Sequence, residues 1–337
     1  MKSKLSELKN WSFSVFDKLE SGISYTIAFS GGKDSHVLLG TYLQWLESRN
    51  LKPLPNIKVA FADTKLEPQR IYELVGNVEE LCQWKGIEFV RTLPDLKDDF
   101  WVLQFGIGYP VPDHKIRWCT SRLKIDPIAK VGGTAITGAH MGESTKRNKR
   151  LEKCGSSECG IDMITGKIDA IAKWSNCQVW DWIILEGDDA LYPGFFDLIN
   201  STYEISSGSD GSLRMGCFMC PVISPNTVKY KQDLGAVPDF SYMVRKILDK
   251  LREGRRIKSP RTGNNGAIYI GDRRECWELL KPYFPRMKEL GFISDPVIEK
   301  VESMLELGTY PKTYKPDWIA QQEQIIESEP LQLALPI

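Results

Sequence analysis

The chain has 337 residues, of which 42% are hydrophobic and 26% charged, the balance of a soluble globular protein and far from that of a disordered or collagen-like chain. Lysine plus arginine equals aspartate plus glutamate at 44 each, so no net field draws the whole molecule to nucleic acid or to an anionic membrane. Any nucleic-acid contact must come from a local patch.

No apolar run reaches the roughly 18 residues of a membrane span. The opening "MKSKLSELKNWSFSVF" has neither the apolar centre nor the small-residue cleavage site of a signal peptide. The expected compartment is the cytoplasm, and the eight cysteines there point to thiol, metal or sulfur chemistry rather than disulfides.

In chain order, residues 4–20 read as a short amphipathic helix carrying Leu5, Leu8, Trp11, Val15 and Phe16. "ISYTIAF" (23–29) reads as a buried strand, and Val37, Leu38, Leu39, Tyr42, Leu43 and Leu46 then recur at helical spacing. "IKVAFADT" (57–64) is a second strand, residues 68–86 a second helix and "IEFVRTLP" (87–94) a third strand. "TAITGAH" (134–140) and "KIDAIAKW" (167–174) complete the expected strands. Such alternation predicts an α/β fold: a doubly wound, mostly parallel sheet covered by helices. Residues 183–240 are rich in Gly, Ser, Pro and Asp and read as long loops. Residues 240–308 return to helical periodicity, with a Gly/Pro break at 259–266. The expected division is a nucleotide-handling domain at 1–225 and a helical C-terminal region at 226–337.

The stretch "FSGGKDSHVLL" (29–39) joins the first strand to its helix. Gly31 and Gly32 have no Cβ, so an anion can approach their amides closely. The following helix aims its unpaired N–H groups at the same point. Ser30 and Ser35 add hydroxyls and Lys33 a full charge, which makes a polyphosphate cradle without the longer spacing of a Walker loop. The bland alternative is a tight turn with a serine cap. In open parallel sheets, ligands sit beyond the carboxyl ends of the strands. This loop, "ADTKLEP" (62–68) and "GAHMGESTKR" (138–147) are therefore expected to converge.

The loop resembles that of the PP-loop ATP pyrophosphatases, which implies an adenine nucleotide alpha hydrolase-like fold and cleavage of ATP between its α and β phosphates. "ADTKLEPQRIYE" (62–73), "RWCTSRLKIDPI" (117–128), "TGAHMGESTKRNKR" (137–150), "IAKWSNCQVWDWI" (171–183) and "RMGCFMCPV" (214–222) resemble, in order, elements of the phosphoadenosine phosphosulfate (PAPS) reductase branch. His140 stands where that branch usually has Arg. The wording "CTSRLKI" and "GCFMC" is most similar to the DndC-type and SspD proteins of DNA phosphorothioation. The complete K-D-S loop and the absence of a cysteine in the C-terminal tail depart from a true sulfonucleotide reductase.

The resemblance implies ATP binding by Ser30, Gly31, Gly32, Lys33, Asp34, Ser35, Asp63, Gly138, Glu143 and Arg147, with Asp34 helping to organise Mg2+. Lys33, Asp34 and Cys119 are the expected catalytic residues. It also implies a [4Fe–4S] cluster on Cys217 and Cys220 of the C-F-M-C pair, Cys119, and either Cys154 or Cys159. The stretch "SSGSDGSLRMG" holds no cysteine where DndC-type proteins usually place a ligand. Zinc, catalytic thiols or simply buried thiols are the alternatives. Cys82, Cys177 and Cys276 read as packing residues, and so do most of the ten tryptophans, with Trp118 a candidate for base stacking.

Arg117, Arg122, Lys124, Arg147, Lys149 and Arg150 form local basic clusters suited to nucleotide or DNA phosphates, or to a solvated surface. "REGRRIKSPR" (252–261) is a separate basic run. His36 reads as a helix-surface residue, and His114 and His140 as phosphate contacts. The function implied is an ATP-dependent sulfurtransferase that adenylates a DNA phosphate for sulfur insertion. Its partners would be a cysteine desulfurase, DNA and other DNA-modification proteins, with a homo-oligomer left open. The alternatives are a PAPS reductase, an ATP sulfurylase small subunit, a tRNA thiolase, and a non-catalytic nucleotide- or nucleic-acid-binding module.

Overall fold

The computed structural model describes residues 2–113, 115–142, 145–207, 217 and 238–328. The chain divides into two compact units that interleave in sequence. One comprises Met1–Asp63, Gln69–Thr92 and Ile125–Met215, the other Thr64–Pro68, Leu93–Lys124 and Gly216–Ile337.

The first unit is built on four strands, β1 (Tyr25–Phe29), β2 (Ile57–Ala62), β3 (Glu88–Thr92) and β4 (Thr134–Ile136). They lie in the order β3-β2-β1-β4 and every pairing is parallel, as the strand–helix alternation predicts. The flanking helices are α1 (Lys2–Phe16), α2 (Lys33–Ser48), α3 (Gln69–Lys85), α4 (Asp126–Val131), α5 (Thr145–Lys153), α6 (Ser156–Cys159), α7 (Asn176–Ala190) and α8 (Phe195–Ser207). Ile27, Phe29, Val59 and Phe61 of the strands, Val37, Leu38 and Tyr42 of α2, and Trp174 and Trp182 share one buried core. Gly40 of α2 lets Trp182 lie against the helix, since a Cβ there would stand 2.2 Å from the indole. The indole Nε1 donates to Gln44 Oε1 at 3.1 Å.

Two expectations fail in this unit. Residues 167–174 are not a strand. Ile168 makes only isolated bridges to Ile136 and Ile161, and Ala170, Ile171, Ala172 and Trp174 are buried in turns. Residues 183–207 are not loop, because α7 and α8 cover most of them. A capping box closes the start of α7, where Ser175 Oγ accepts from Gln178 N and Gln178 Oε1 accepts from Ser175 N. Gly187 is a packing residue, its absent Cβ leaving room for the Phe195 ring at 2.8 Å.

The second unit contains a π-helical segment at Val102–Ile107, a helical turn at Trp118–Thr120 and the helices α9 (Pro238–Glu253), α10 (Ile270–Leu280), α11 (Phe284–Glu289), α12 (Asp295–Glu306) and α13 (Pro316–Ser328). The Gly/Pro break expected at 259–266 turns out to join two short antiparallel strands, β5 (Arg256–Lys258) and β6 (Asn265–Ile268). Trp101, Phe105, Leu248, Leu251, Trp277, Met287 and Val301 centre its core. Asp99 starts the π-helical segment by accepting from Trp101 N at 2.9 Å. Burial pushes its carboxyl up to about 6, against the backbone donors of Trp101 and Val102 and the charge of Lys65. Among the described residues, no helix is long and apolar enough to cross a membrane.

Candidate active site at the sheet switch point

Chain connections leave β1 toward β2 on one side and reach β4 on the other. The crevice beyond the ends of β1 and β4 is thus the topological switch point, the usual ligand position in an open parallel sheet. The loop at residues 30–35 follows β1 directly. Gly31 has φ +74, and a Cβ there would come within 2.8 Å of Ile71 Cγ2, so the turn takes only glycine without strain.

Gly32 is the N-cap of α2 and has no side chain to satisfy the first amides. Among the described residues, no acceptor meets the amides of Gly31, Gly32 or Asp34. The Gly32 carbonyl, by contrast, is saturated. It accepts from Ser35 Oγ (2.8 Å), Ser35 N (3.1 Å), His36 N (3.2 Å) and the His36 ring at Nδ1 (2.9 Å). Ser35 Oγ also accepts from Ser30 N at 3.2 Å, so this hydroxyl shapes the loop from inside. His36 is fully buried between Phe29 and Phe195, which corrects the surface reading. Burial pushes its imidazole down to about 4, against the hydrogen bonds to Gly32 and Leu74. It is therefore neutral near pH 7, with Nδ1–H as the donor.

Lys33 and Asp34 begin α2. Lys33 Nζ lies 2.5 Å from Asp34 Oδ1, and His140 Nε2 lies 3.2 Å from the same oxygen. Burial raises the Asp34 carboxyl, but the His140 bond and the Lys33 and His140 charges outweigh it and leave the group below its usual range. The Asp34 side chain keeps 26% exposure and can still face a ligand. His140 is buried and its Nδ1 faces the carbonyls of Met141 (2.7 Å) and Trp174 (3.2 Å). It braces Asp34 from behind and does not offer itself to phosphate. Gly138 permits the approach, since a Cβ there would stand 2.9 Å from the Asp34 carbonyl oxygen.

On β2, Phe61 pairs in register with Phe29, so Asp63 lies just past the level of Ser30. Its Oδ1 accepts from Tyr72 Oη at 2.7 Å, and Arg91 Nη1 stands 3.8 Å from Oδ2. The loops after β1 and β4 thus meet, with Asp63 just past the end of the neighbouring strand β2. Arg147 is half-buried on α5. Glu143 and His114 lie outside the described residues.

The basic clusters are partly committed elsewhere. Arg150 pairs with Asp162 at 3.0 Å and Asp169 at 3.3 Å, tying down the turn after α6. Lys124 donates to Glu67 Oε1 at 2.7 Å. Sequence reasoning missed Glu67, a buried carboxylate of the second unit that also accepts from Cys217 Sγ at 3.5 Å and Thr64 Oγ1 at 3.2 Å. The acidic residue in "ADTKLEP" was its only signal. It missed Tyr203 as well, whose hydroxyl accepts from Lys33 N at 3.0 Å.

The cysteines fall into both units. Cys154 Sγ lies 3.2 Å from Ser156 Oγ, and Cys159 Sγ donates to the carbonyls of Gly155 and Ile161 at 3.5 Å. Cys119 and Cys217 pack partly buried against the second unit's core. Among the described residues, no three His, Cys, Asp or Glu side chains are grouped to hold a metal. Cys220 lies outside them. The four thiolates expected of a cluster are not assembled by the described residues, and no chemical step is derived through one. Cys82 and Cys276 are buried as expected, with burial pushing both thiols up to about 12, whereas Cys177 is exposed and is not a packing residue. Trp118 stacks on Phe100, with centroids 5.6 Å apart.

An uncharacterized protein of Methanocaldococcus jannaschii is 30% identical over 218 residues, which is 62% of this chain but 38% of that protein's length. The family model of the phosphoadenosine phosphosulfate reductase domain matches residues 24–222, which takes in β1 to β4, the glycine-rich loop, His140 and Cys217. With more than half of its residues matched, and the matched stretch forming the parallel sheet and its switch-point loops, the chain belongs to the PAPS reductase domain family, within the PP-loop superfamily.

Proposed function

We propose that the chain is an ATP-dependent sulfurtransferase that cleaves ATP between the α and β phosphates and activates a DNA backbone phosphate for sulfur insertion. One observation carries the nucleotide part of this reading. The amides of Gly31, Gly32 and Asp34 are unpaired among the described residues, at the start of a helix whose first side chains are Lys33 and Asp34. That is a donor set for the β and γ phosphates, and it stabilises the charge that grows on departing pyrophosphate.

A non-bridging phosphate oxygen is a poor leaving group. Attack by that oxygen on the α phosphorus of ATP forms a phosphoanhydride and releases pyrophosphate. The outer sulfur of a Cys119 persulfide then attacks the acceptor phosphorus and AMP leaves with the oxygen. A thiol reductant attacks the Cys119 sulfur, breaking the S–S bond to form a disulfide and freeing the phosphorothioate. Magnesium bound at Asp34 would neutralise the polyphosphate charge. Lys33 holds the tail, His140 keeps Asp34 oriented, and Asp63, held by Tyr72, is placed to accept from a ribose hydroxyl. Cys119 is the candidate thiol for carrying sulfur delivered by a cysteine desulfurase. DNA is favoured as the acceptor by "CTSRLKI" and "GCFMC".

Pyrophosphate release by the purified full chain tests the nucleotide part, with ATP and Mg2+ and DNA as the acceptor. Release is expected to disappear in Lys33→Ala and Asp34→Ala. Mass spectrometry of DNA and tRNA from a deletion strain tests the acceptor, with loss of sulfur from DNA expected. Turnover of a sulfonucleotide without ATP would favour the reductase alternative.

A further inference from the structure

We propose that Tyr203 is a built-in stand-in for a phosphate oxygen, holding the Lys33 amide and releasing it when an anion seats in the loop. The inference rests on the phosphate-binding reading of residues 30–35 and adds to it a residue 170 positions away in sequence.

The Gly32–Lys33 peptide is fixed at both ends. Its carbonyl accepts from Ser35 Oγ, Ser35 N, His36 N and His36 Nδ1, and cannot turn without breaking all four bonds. Its N–H is thereby aimed at one point, and Tyr203 Oη occupies that point at 3.0 Å. The hydroxyl lies over the bare face of Gly32, where a Cβ would stand 3.4 Å from it. The phenol itself is held firmly: the ring is buried on α8 and meets Trp180 edge to face, with centroids 5.3 Å apart.

A buried N–H without an acceptor is costly, and Tyr203 Oη supplies one to the Lys33 amide. A neutral phenol oxygen serves, but a phosphate oxygen is the stronger acceptor because its hydrogen bonds are charge-assisted. Exchange of Tyr203 for phosphate therefore favours the anion, and the hydroxyl sets a threshold that weakly charged ligands do not pass. It also ties loop occupancy to the C-terminal end of α8.

The test is calorimetric titration of the full chain with magnesium pyrophosphate and with magnesium ATP. Wild-type binding that is lost in Lys33→Ala establishes the site. No binding to wild type overturns the phosphate reading and this proposal with it. Given wild-type binding, Tyr203→Phe is expected to bind pyrophosphate about three- to tenfold more tightly, because one competing hydrogen bond is gone. Equal or weaker binding overturns the stand-in role while leaving the site intact. A second measurement needs no variant. In hydrogen exchange on wild type, saturating pyrophosphate is expected to protect residues 29–39 and to speed exchange in residues 198–207. Unchanged or slower exchange in residues 198–207 contradicts the proposal.

Discussion

His140 Nε2 lies 3.2 Å from Asp34 Oδ1, across 106 residues of sequence, and joins the loop after β4 to the loop after β1. Its other ring nitrogen faces two backbone carbonyls, so the imidazole is fixed in orientation before any ligand arrives. His140→Ala is expected to weaken magnesium ATP binding by about tenfold, the value of a hydrogen bond to a charged group. Calorimetric titration reads it. Affinity within twofold of wild type would mean that Asp34 needs no brace.

Gly138 controls how closely the two loops approach. In Gly138→Ala the new methyl would stand 2.9 Å from the Asp34 carbonyl oxygen, and backbone must move. The expected result is a stability loss of about 1–3 kcal/mol together with weaker ATP binding. Gly76→Ala is the control. A Cβ there meets nothing within 4 Å on helix α3, so a gain of up to about 1 kcal/mol with unchanged binding is expected. Urea unfolding and nucleotide titration of the two variants check both halves.

In the second unit, the buried Asp99 predicts a pH dependence. Its folded value of about 6 lies above the unfolded 3.8, so the protonated form favours the fold. The contribution is fully present below pH 3.8 and lost as the pH rises through about 6. The difference corresponds to about 3 kcal/mol. Asp99→Asn keeps an acceptor for Trp101 N and removes the buried charge. It is expected to be more stable than wild type above pH 6, with the gap closing toward pH 4. A pH-independent gap in urea midpoints would contradict the assignment.

The thiols of Cys154 and Cys159 already have hydrogen-bond partners on α5, α6 and the turn that follows. Cys217 instead donates to Glu67, which Lys124 holds ionised against burial. If the proposed metal is bound, Cys119 and Cys217 of the second unit are therefore the proposed ligands. Iron and zinc assay after anaerobic purification is expected to show metal in wild type, lost in Cys119→Ser and Cys217→Ser and retained in Cys154→Ser and Cys159→Ser. Wild type without metal would contradict the cluster proposal. Retention in the first pair with loss in the second would reverse this division.

What could be read from the residues alone was what local pattern dictates. β1, the glycine-rich loop and α2 were legible because an apolar strand, a loop needing Gly31 and a 3.6-residue apolar period adjoin one another. Residues 167–174 were misread because burial and strand pairing both select apolar side chains. Ile171 and Trp174 are buried in turns, not in a strand. Residues 183–207 were read as loop because of their Gly, Ser, Pro and Asp content, yet Gly187 sits within a helix, packed against Phe195. His36 was assigned to the surface because its neighbours in the motif face a ligand, yet its own ring turns inward to the Gly32 carbonyl. Tyr203 carries no local signal, and Glu67 only the acidic letter within "ADTKLEP". Their partners, Lys33 and Lys124, are 170 and 57 residues away.

Residues 30–35 are proposed to grip the tail of a nucleoside triphosphate. A crystal structure of the full chain with Mg2+ and a non-hydrolysable α,β-methylene ATP tests it most directly. The account predicts β and γ phosphate oxygens within hydrogen-bonding distance of the Gly31, Gly32 and Asp34 amides, with Lys33 Nζ on the same phosphates. A nucleotide bound with its phosphates away from this loop, or a loop that stays empty at saturating analogue, would contradict it.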